Sequence, residues 1–550
     1  MLETNEPIFI NMIKKLSLKQ LVLIASAPFV IQLIFSCKPA ANAEDNVTEK
    51  VARDNTITIK NAYSLLFLDS LALEKFITAE VTVDSIAANM RNIYNARNYS
   101  FAWFDEDGLT LQAEGLWNAH KKNPRHSYDS TLYDKDLHTI VDTLLSGDGT
   151  YRLSQSQLIL TELRFTKHFF QYVQFAFAGK VNPEEVQWHI PRRKLKPVAL
   201  LDSFLNSSSV EWKPFSTSYH LLQKELFRYY EIEKKGGWPQ ITAIERNFKK
   251  GDSDTIILQV KRRLQINGLY PTEDTTKQYT EDFEMAIRKT EAAFGLKQDG
   301  VIDANLVKQL NTPVEERIKQ ILLNLERMKW IPQEPAKYLL ANIPEYRLHV
   351  VENGKEVLAM NIVVGKAANR SEIFSDELKH VVFSPYWNVP RSIVRNEVYP
   401  AMKRSSSYLR RNNMEVTGYS GGLPIVRQKP GRHNALGGVK FIFPNSYNIY
   451  FHDTPSRGLF EKEKRAFSHG CIRLHQPFDL AAYLLQDKPE WTEAKIKAAM
   501  DQSTEKWVAL DVPVPVFITY FTSWVDKGGI LHFADDIYGH DKKLAEHLFN

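Results

Sequence analysis

The sequence predicts a multidomain α+β protein, on three observations. Its 550 residues exceed what a single hydrophobic core organises. Up to about residue 330 the apolar residues recur at helical spacing. From residue 337 the period changes to two, with short apolar runs bounded by turn residues. The composition, 43% hydrophobic and 25% charged, excludes disorder for most of the chain. A net charge of +5 is too slight to argue for a nucleic-acid partner, and none is expected. The two cysteines, Cys37 and Cys471, exclude a disulfide scaffold and a thiolate-rich zinc site.

Residues 21–35 form the longest apolar run, interrupted by Ser26, Pro28 and Gln32. A membrane-spanning helix needs about 20 apolar residues, so the run is too short to span. It suits the hydrophobic region of a secretory signal, with Lys14, Lys15 and Lys19 as the positive region before it. A complete signal starts at Met12, so translation is expected to begin there. The run ends in Leu33-Ile34-Phe35-Ser36-Cys37, which resembles the lipobox of bacterial lipoproteins. The resemblance implies cleavage after Ser36, acylation of Cys37, and an exported protein held by lipid at the periplasmic face of a bacterial membrane. The plainer alternative is a signal peptide with an incidental cysteine. Residues 1–36 are thus read as signal and 37–60 as a polar tether.

Residues 61–245 read as a helical domain, with amphipathic stretches at 158–177 and 221–233. Its aromatics, among them Tyr94, Tyr99, Trp103, Phe104, Phe165, Phe169, Phe170, Tyr172, Phe175 and Phe177, are expected to build the core. Gly236-Gly237-Trp238-Pro239 ends it. Residues 251–312 form a smaller unit of three helices, at 255–266, 282–294 and 303–310, with a turn at Asn267-Gly268. Leu258-Gln259, Leu264, Gly268, Tyr270, Ala286, the GLxxDG run 295–300 and Leu306 resemble the small three-helix peptidoglycan-binding domain. Thr290 and Glu291 depart from its usual aromatic-Gln pair, which leaves two readings open, a spacer and a cell-wall binder. Thr312, Pro313 and Glu315 predict a capping box opening a linking helix over 313–335, with Ile318, Ile321, Leu322, Leu325 and Met328 as its apolar stripe.

Strands are expected at 338–343, 346–351, 357–364, 381–383, 441–443 and 448–452, with Gly354 in a hairpin turn. A mostly-β domain over 336–512 therefore carries the second cysteine, and 513–550 is a C-terminal tail. Cys471 sits in Ser468-His469-Gly470-Cys471-Ile472-Arg473. A thiol needs a base or positive surroundings to act as a nucleophile. On a strand His469 would face the same side as Cys471, and His452 ends another strand upstream. Gly470 lets a carbonyl approach, the Cys471 amide can donate to an oxyanion, and Arg473 adds positive charge. On chemistry alone this is a Cys–His acyl-transfer site or a buried structural cysteine among unrelated histidines.

The spacing of His452 from Ser468-His469-Gly470-Cys471 matches the HX(14–17)[S/T]HGC signature of the L,D-transpeptidases. Ser384-Pro385-Tyr386-Trp387-Asn388-Val389-Pro390, Asn434-Ala435-Leu436-Gly437, Phe443-Pro444-Asn445 and His452-Asp453-Thr454-Pro455 resemble the large multidomain type, which has a helical scaffold domain, a peptidoglycan-binding-like insert and a mostly-β catalytic domain with a cap insertion. The resemblance implies that Cys471 attacks a tetrapeptide stem of peptidoglycan, forms a thioester, and passes the acyl group to a second stem in a 3→3 cross-link. It implies His452 as proton donor and acceptor, oriented by the backbone carbonyl of Asp453, with His469, Gly470 and Cys471 shaping the oxyanion pocket, and it implies no metal and no cofactor. Arg473, Ser468, Tyr386, Trp387 and Asn434 are the implied substrate contacts, and 391–433, rich in Arg and Ser with no strong β pattern, is the implied cap. Other outcomes at the same thiol are carboxypeptidase trimming by water and attachment of a protein amine. An outcome of another class is a non-catalytic cell-wall-binding scaffold, for which an intact Cys–His pair has no use. The lipobox yields a prediction of its own. Cys37→Ala is expected to abolish incorporation of labelled fatty acid and to release the protein from the membrane fraction; label that persists on the variant places the acceptor elsewhere.

Overall fold

The computed structural model describes residues 50–121, 134–146, 152–191, 196–206, 216–271, 273–332 and 335–549. The signal-like run, Cys37 and most of the 37–60 tether lie outside them, as do the side chains of Phe175 and Phe177. Among the described residues no helix is long and apolar enough to cross a membrane.

The N-terminal helices Ser70–Glu80, Asp84–Ala96, Gln155–Ala178 and Pro197–Leu205 enclose the expected aromatic core. Trp103 stacks on Phe165 at 5.6 Å between ring centroids, and Phe169 stacks on Phe204 at 6.3 Å. A buried carboxylate serves this core: Glu162 accepts from the amides of Ala102 and Trp103 and from the Tyr94 hydroxyl. Burial lifts the Glu162 carboxyl to about 7. The expected boundary at residue 245 does not enclose a single core. The Thr217–Lys234 helix turns Tyr219, Leu222, Leu226 and Tyr229 toward the three-helix unit instead.

That unit contains Thr255–Ile266, Glu281–Ala293 and Ala304–Leu310, each opened by an acceptor side chain, from Asp254, Thr280 and Asp303. Gly268 supplies the positive φ of its turn. Glu291, one of the two departures from the family pattern, is buried. It accepts from the amides of Gly300 (2.9 Å) and Val301 (3.1 Å), so a carboxylate pins the GLxxDG loop from within.

The Val314–Lys329 helix is no simple link. Pro313 occupies its N-cap with no side-chain bond, so the expected capping box does not form; Thr312 Oγ1 accepts from Arg317 instead, at 3.3 Å. The apolar stripe joins the second core, and over Ile321–Arg327 the other faces are buried too. Glu326 accepts from Val181 of the N-terminal part (3.0 Å) and pairs with Lys329 (3.2 Å). Asn324 donates to Thr522 (2.8 Å), and Arg327 pairs with Asp541 (2.5 Å).

The C-terminal half is built on a ten-stranded sheet. Eight of its strands close into a barrel. In chain order they are β1 (Lys337–Asn342), β2 (Arg347–Glu352), β3 (Lys355–Gly365), β4 (Ile373–Phe383), β5 (Val439–Ile442), β6 (Phe451–His452), β7 (Ile472–Leu474) and β8 (Lys506–Thr519). Around the barrel the order is β5-β6-β7-β3-β2-β1-β8-β4, and β4 pairs back to β5. The β6–β7 and β8–β1 pairs are parallel. Asn353 and Gly354, both at positive φ, make the tight β2–β3 turn. The two remaining strands sit on the rim: Trp188–His189, from the N-terminal part, pairs with β4, and Ala466–Ser468 pairs with β3.

Two boundaries differ from the sequence reading. β8 runs through residue 512 and inserts Val514–Thr519 between β1 and β4, so the barrel reaches into the expected tail. Beyond it, the hairpin Ser523–Val525 and Leu531–Phe533 packs on the second core, and the His540–Leu548 helix packs on Val314–Lys329. The cap is also more ordered in pattern than expected: after short helical turns over 391–411, Met414–Ser420 and Leu423–Gln428 form a hairpin with Trp387–Asn388 at its edge. A small core of Val389, Ile393, Val394, Val398 and Val426 holds it together.

The Arg327–Asp541 pair gives a direct test of the central helix. Arg327 is almost fully buried, so Asp541→Ala leaves a guanidinium without its counter-ion. The expected loss is about 3–5 kcal/mol of unfolding free energy, read from the denaturant midpoint. A change within about 0.5 kcal/mol, as for an ordinary surface substitution, would show that the pair does not anchor the helix.

Candidate active site

Barrel closure brings the two ends of the motif together. β6 and β7 are parallel neighbours with His452 opposite Arg473 and Phe451 opposite Ile472. Cys471 precedes β7 and lies level with Tyr450, so His452 and the cysteine stand on adjacent chains, two residues out of register. Tyr450 and His452 share a face of β6, their rings 5.7 Å apart.

Residues 469–471 are a bend and not a strand, so strand alternation does not apply to His469. Gly470 sits at φ +116°, and a Cβ there would meet the Arg370 carbonyl at 3.3 Å. The positive φ calls for glycine, and the contact would be tight for any side chain. Ser468 Oγ accepts from the Gly470 amide (3.1 Å) and donates to the Cys471 carbonyl (2.6 Å). Ser371, which the sequence did not single out, donates from Oγ to the Gly470 carbonyl (2.6 Å) and accepts from the Gly365 amide (3.0 Å). Tyr538 closes this clamp through its hydroxyl, which donates to the Gly365 carbonyl. The Ser468 bond engages the Gly470 amide within the turn. The Cys471 amide meets no acceptor among the described residues.

The electrostatics of the pair follow from burial. His452 donates from Nδ1 to the Asp453 carbonyl, which leaves Nε2 with its lone pair. Burial, and secondarily the charge of Arg473, depresses the imidazole to about 3, against the opposing effect of that carbonyl. Burial pushes the Cys471 thiol above its ordinary value, although Tyr450 and Arg473 oppose the rise. At neutral pH the resting pair is therefore a neutral thiol and a neutral imidazole. The thiol donates to the Asn448 carbonyl at 3.6 Å, and Asn448 holds positive φ to present it. Tyr450 also interacts with the sulfur. Neither residue was singled out in the sequence, although the period-two spacing of Tyr450 from His452 marks it as sharing the histidine's face.

The other expected site residues are placed as follows. Arg473 is partly buried beside the thiol, its Nε without an acceptor. His469 points to the cap, 3.3 Å from the Glu397 carboxylate. The Asp453 carboxylate accepts from the Gly438 and Thr454 amides and pairs with Arg457. Ser468 and Asn434 are corrected as substrate contacts. Both are buried, Ser468 inside the turn just described and Asn434 with its amide spent on the Pro385 (3.0 Å) and Lys429 (2.9 Å) carbonyls and on the Leu436 amide (2.8 Å). They shape the loops and have no atom left to offer. Tyr386 and Trp387 stand at the root of the cap, where the Tyr386 ring carries the Arg427 guanidinium (4.1 Å) and Trp387 packs on the cap core. Among the described residues no group of His, Cys, Asp or Glu could hold a metal ion.

A nucleophile, a lone-pair base, an unpaired amide and a nearby guanidinium make an acyl-transfer centre. Because the thiol is neutral at rest, its alkylation by iodoacetamide is expected to climb with pH through 9 without levelling near neutrality. A plateau between pH 5 and 8 would reveal a thiolate–imidazolium pair instead.

Comparison with known proteins agrees with this architecture. Residues 336–498 match the L,D-transpeptidase catalytic domain, 88–226 match the scaffold domain, and 253–310 match the family described as "Putative peptidoglycan binding domain". A "Putative L,D-transpeptidase" of Haemophilus influenzae is 32% identical over 250 residues, 42% of this chain and 50% of the relative. The chain thus spans half the length of that relative. Among solved structures, an L,D-transpeptidase from Stackebrandtia nassauensis is 14% identical, with 51% of this chain and 97% of that one covered and a TM-score of 0.22. One from Mycobacterium smegmatis is 13% identical, with 34% and 58% covered and a TM-score of 0.19. Likeness at those scores adds no weight. The family matches assign residues 336–498 of this chain to the L,D-transpeptidase catalytic domain, carried together with a scaffold domain and a peptidoglycan-binding domain.

Proposed function

We propose that this protein is a peptidoglycan L,D-transpeptidase that forms 3→3 cross-links between stem peptides. The observation that carries the reading is the neutral His452, pinned through Nδ1 to the Asp453 carbonyl on the strand beside Cys471. Cys471 Sγ attacks the carbonyl of the third residue of a tetrapeptide donor while its proton passes to His452 Nε2. The Cys471 amide stabilises the oxyanion. The bond to the terminal D-alanine breaks, and that amine leaves with the proton from His452. The side-chain amine of a second stem then attacks the thioester, gives a proton to His452, and the proton returns to the sulfur as the cross-link forms. Arg473 helps hold the donor, and the cap, latched at His469–Glu397, positions the stem and excludes water. The run at 21–37 supports export and a lipid anchor on Cys37 at the periplasmic face of the membrane.

Purified tetrapeptide muropeptides, incubated with the enzyme and read by mass, test the reading. A cross-linked dimer with loss of D-alanine is expected. A trimmed tripeptide would make the enzyme a carboxypeptidase, and unchanged substrate would leave a binding scaffold. Cys471→Ser is expected to lose turnover while keeping its fold. His452→Ala is expected to cost about 10²–10⁴-fold in rate. If His452→Ala retains full rate while His469→Ala abolishes it, the base is the residue facing the cap.

A further inference from the structure

The cap concentrates charge of one sign. Residues 391–433 hold nine Arg and Lys against two Glu, a net charge of +7, whereas the whole chain carries +5. All the other residues taken together are therefore slightly negative. An ordinary solvated surface intersperses both signs. Here the positive charge is gathered into one small subdomain with its own apolar core.

Pairing does not cancel that charge. Of the two acids, Glu415 takes Arg427 (2.5 Å) and Lys429 (3.0 Å), and Glu397 turns to His469 of the catalytic loop (3.3 Å). Arg432 reaches Asp501, outside the cap, at 3.8 Å. The six bases over 391–411 are Arg391, Arg395, Lys403, Arg404, Arg410 and Arg411. All six are exposed, and none has a carboxylate partner among the described residues. Arg391 donates to Ser420 Oγ (3.3 Å) and to the Gly421 carbonyl (3.4 Å), and Arg411 donates to Ser405 Oγ (2.9 Å). Lys403 lies over the Tyr399 ring at 4.5 Å. These contacts steady the side chains and leave their charge uncompensated.

Seven of the nine bases are arginines, whose planar fork matches the two oxygens of a carboxylate or a phosphate. Location decides which anion arrives. The Glu397–His469 contact sets the cap against the loop that holds Cys471, so the positive field lies beside the thiol. A bilayer surface cannot follow its headgroups into that cleft, and a peptide can. We propose that the cap is an anion-collecting surface, which binds the carboxylates of peptidoglycan stem peptides outside the cleft and raises their concentration beside Cys471. The identity of the anion rests on the reading of the protein as acting on peptidoglycan.

The test uses the full chain with Cys471 alkylated, so that no turnover interferes. Lys403→Glu, Arg404→Glu and Arg410→Glu together take the cap from +7 to +1 at exposed positions. Lys60→Glu, Lys75→Glu and Lys224→Glu make the same change in net charge at exposed positions away from the cap, and serve as the control. Calorimetric titration with a disaccharide-tetrapeptide is expected to show binding that weakens about tenfold in the cap variant and less than about twofold in the control. Raising the salt from about 0.05 M to about 0.5 M is expected to weaken the unsubstituted protein about as much, because exposed charges are screened. That second measurement needs no variant, so the test survives a cap variant that folds poorly. The same muropeptide with its carboxyls amidated is expected to bind the three proteins equally. Equal affinity in the cap variant and the unsubstituted protein, an equal loss in the control, or binding indifferent to salt overturns the proposal. So does cap-dependent binding of phosphatidylglycerol vesicles with no cap-dependent binding of the muropeptide, which would give the surface to a membrane. Cap-dependent binding alongside an unalkylated enzyme that turns nothing over would sink the transpeptidase reading and leave the anion-collecting surface standing. Turnover with cap-independent binding would do the reverse.

Discussion

The structure from residue 51 onward depends on one helix that is enclosed from Ile321 to its end. Val314–Lys329 gives its apolar stripe to the three-helix unit and its remaining faces to everything else. A helix so placed must satisfy polar groups in a dry interior, and it does so by assigning each to a different part of the chain. Glu326 takes the backbone at Val181, Asn324 takes Thr522, and Arg327 takes Asp541. Hydrogen bonds of this kind are directional where apolar packing is not, so they fix the angle at which each part meets the helix. Trp330, just beyond its end, meets Trp188 edge-on at 5.5 Å, next to the strand that the N-terminal part lends to the barrel. The modules are parts of one packed object.

Burial also sets the chemistry. A thiol and an imidazole in water would sit within about two units of each other. Here burial moves both toward their neutral forms, the sulfur upward and the imidazole down to about 3. Both groups therefore rest in their neutral forms at neutral pH. The bend that holds the sulfur is fixed from beneath by Ser468, Ser371 and Tyr538, residues from three distant stretches of chain.

What could be read from the sequence follows from how local each signal is. The helices of the three-helix unit were legible because period, caps and the Asn267-Gly268 turn agree within a dozen residues. The pairing of His452 with Cys471 was legible as a family signature, since their adjacency depends on a barrel that closes elsewhere. Ser371 and Tyr538 gave no local sign, because their roles exist only across about 100 and 170 residues of separation. The cap hairpin escaped because Met414–Ser420 buries no residue, and the inward positions of Leu423–Gln428 are Pro424, Val426 and Gln428, of which Val426 alone gives an apolar strand signal. Thr312 had the sequence of a cap but was claimed by Arg317. The boundary at 513 failed because the last strand continues past the irregularity between Ala509 and Val514, where Pro513 lies, and resumes its pairing from Val514 onward.

That last strand governs when the protein becomes a protein. β8 fills the gap between β1 and β4, and its final register, Thr519 against Asn342, joins residues far apart in the chain. Until residue 519 has left the ribosome, β1 and β4 each carry a bare edge, although Cys471 and His452 are already made. Open edges recruit foreign strands, and late, non-local closure is slow. The nascent chain is therefore extensible and without a formed catalytic site for nearly the whole of its synthesis. The pairing of His452 with Cys471 is therefore the last thing the chain completes, because the barrel that sets it closes only on its final strand.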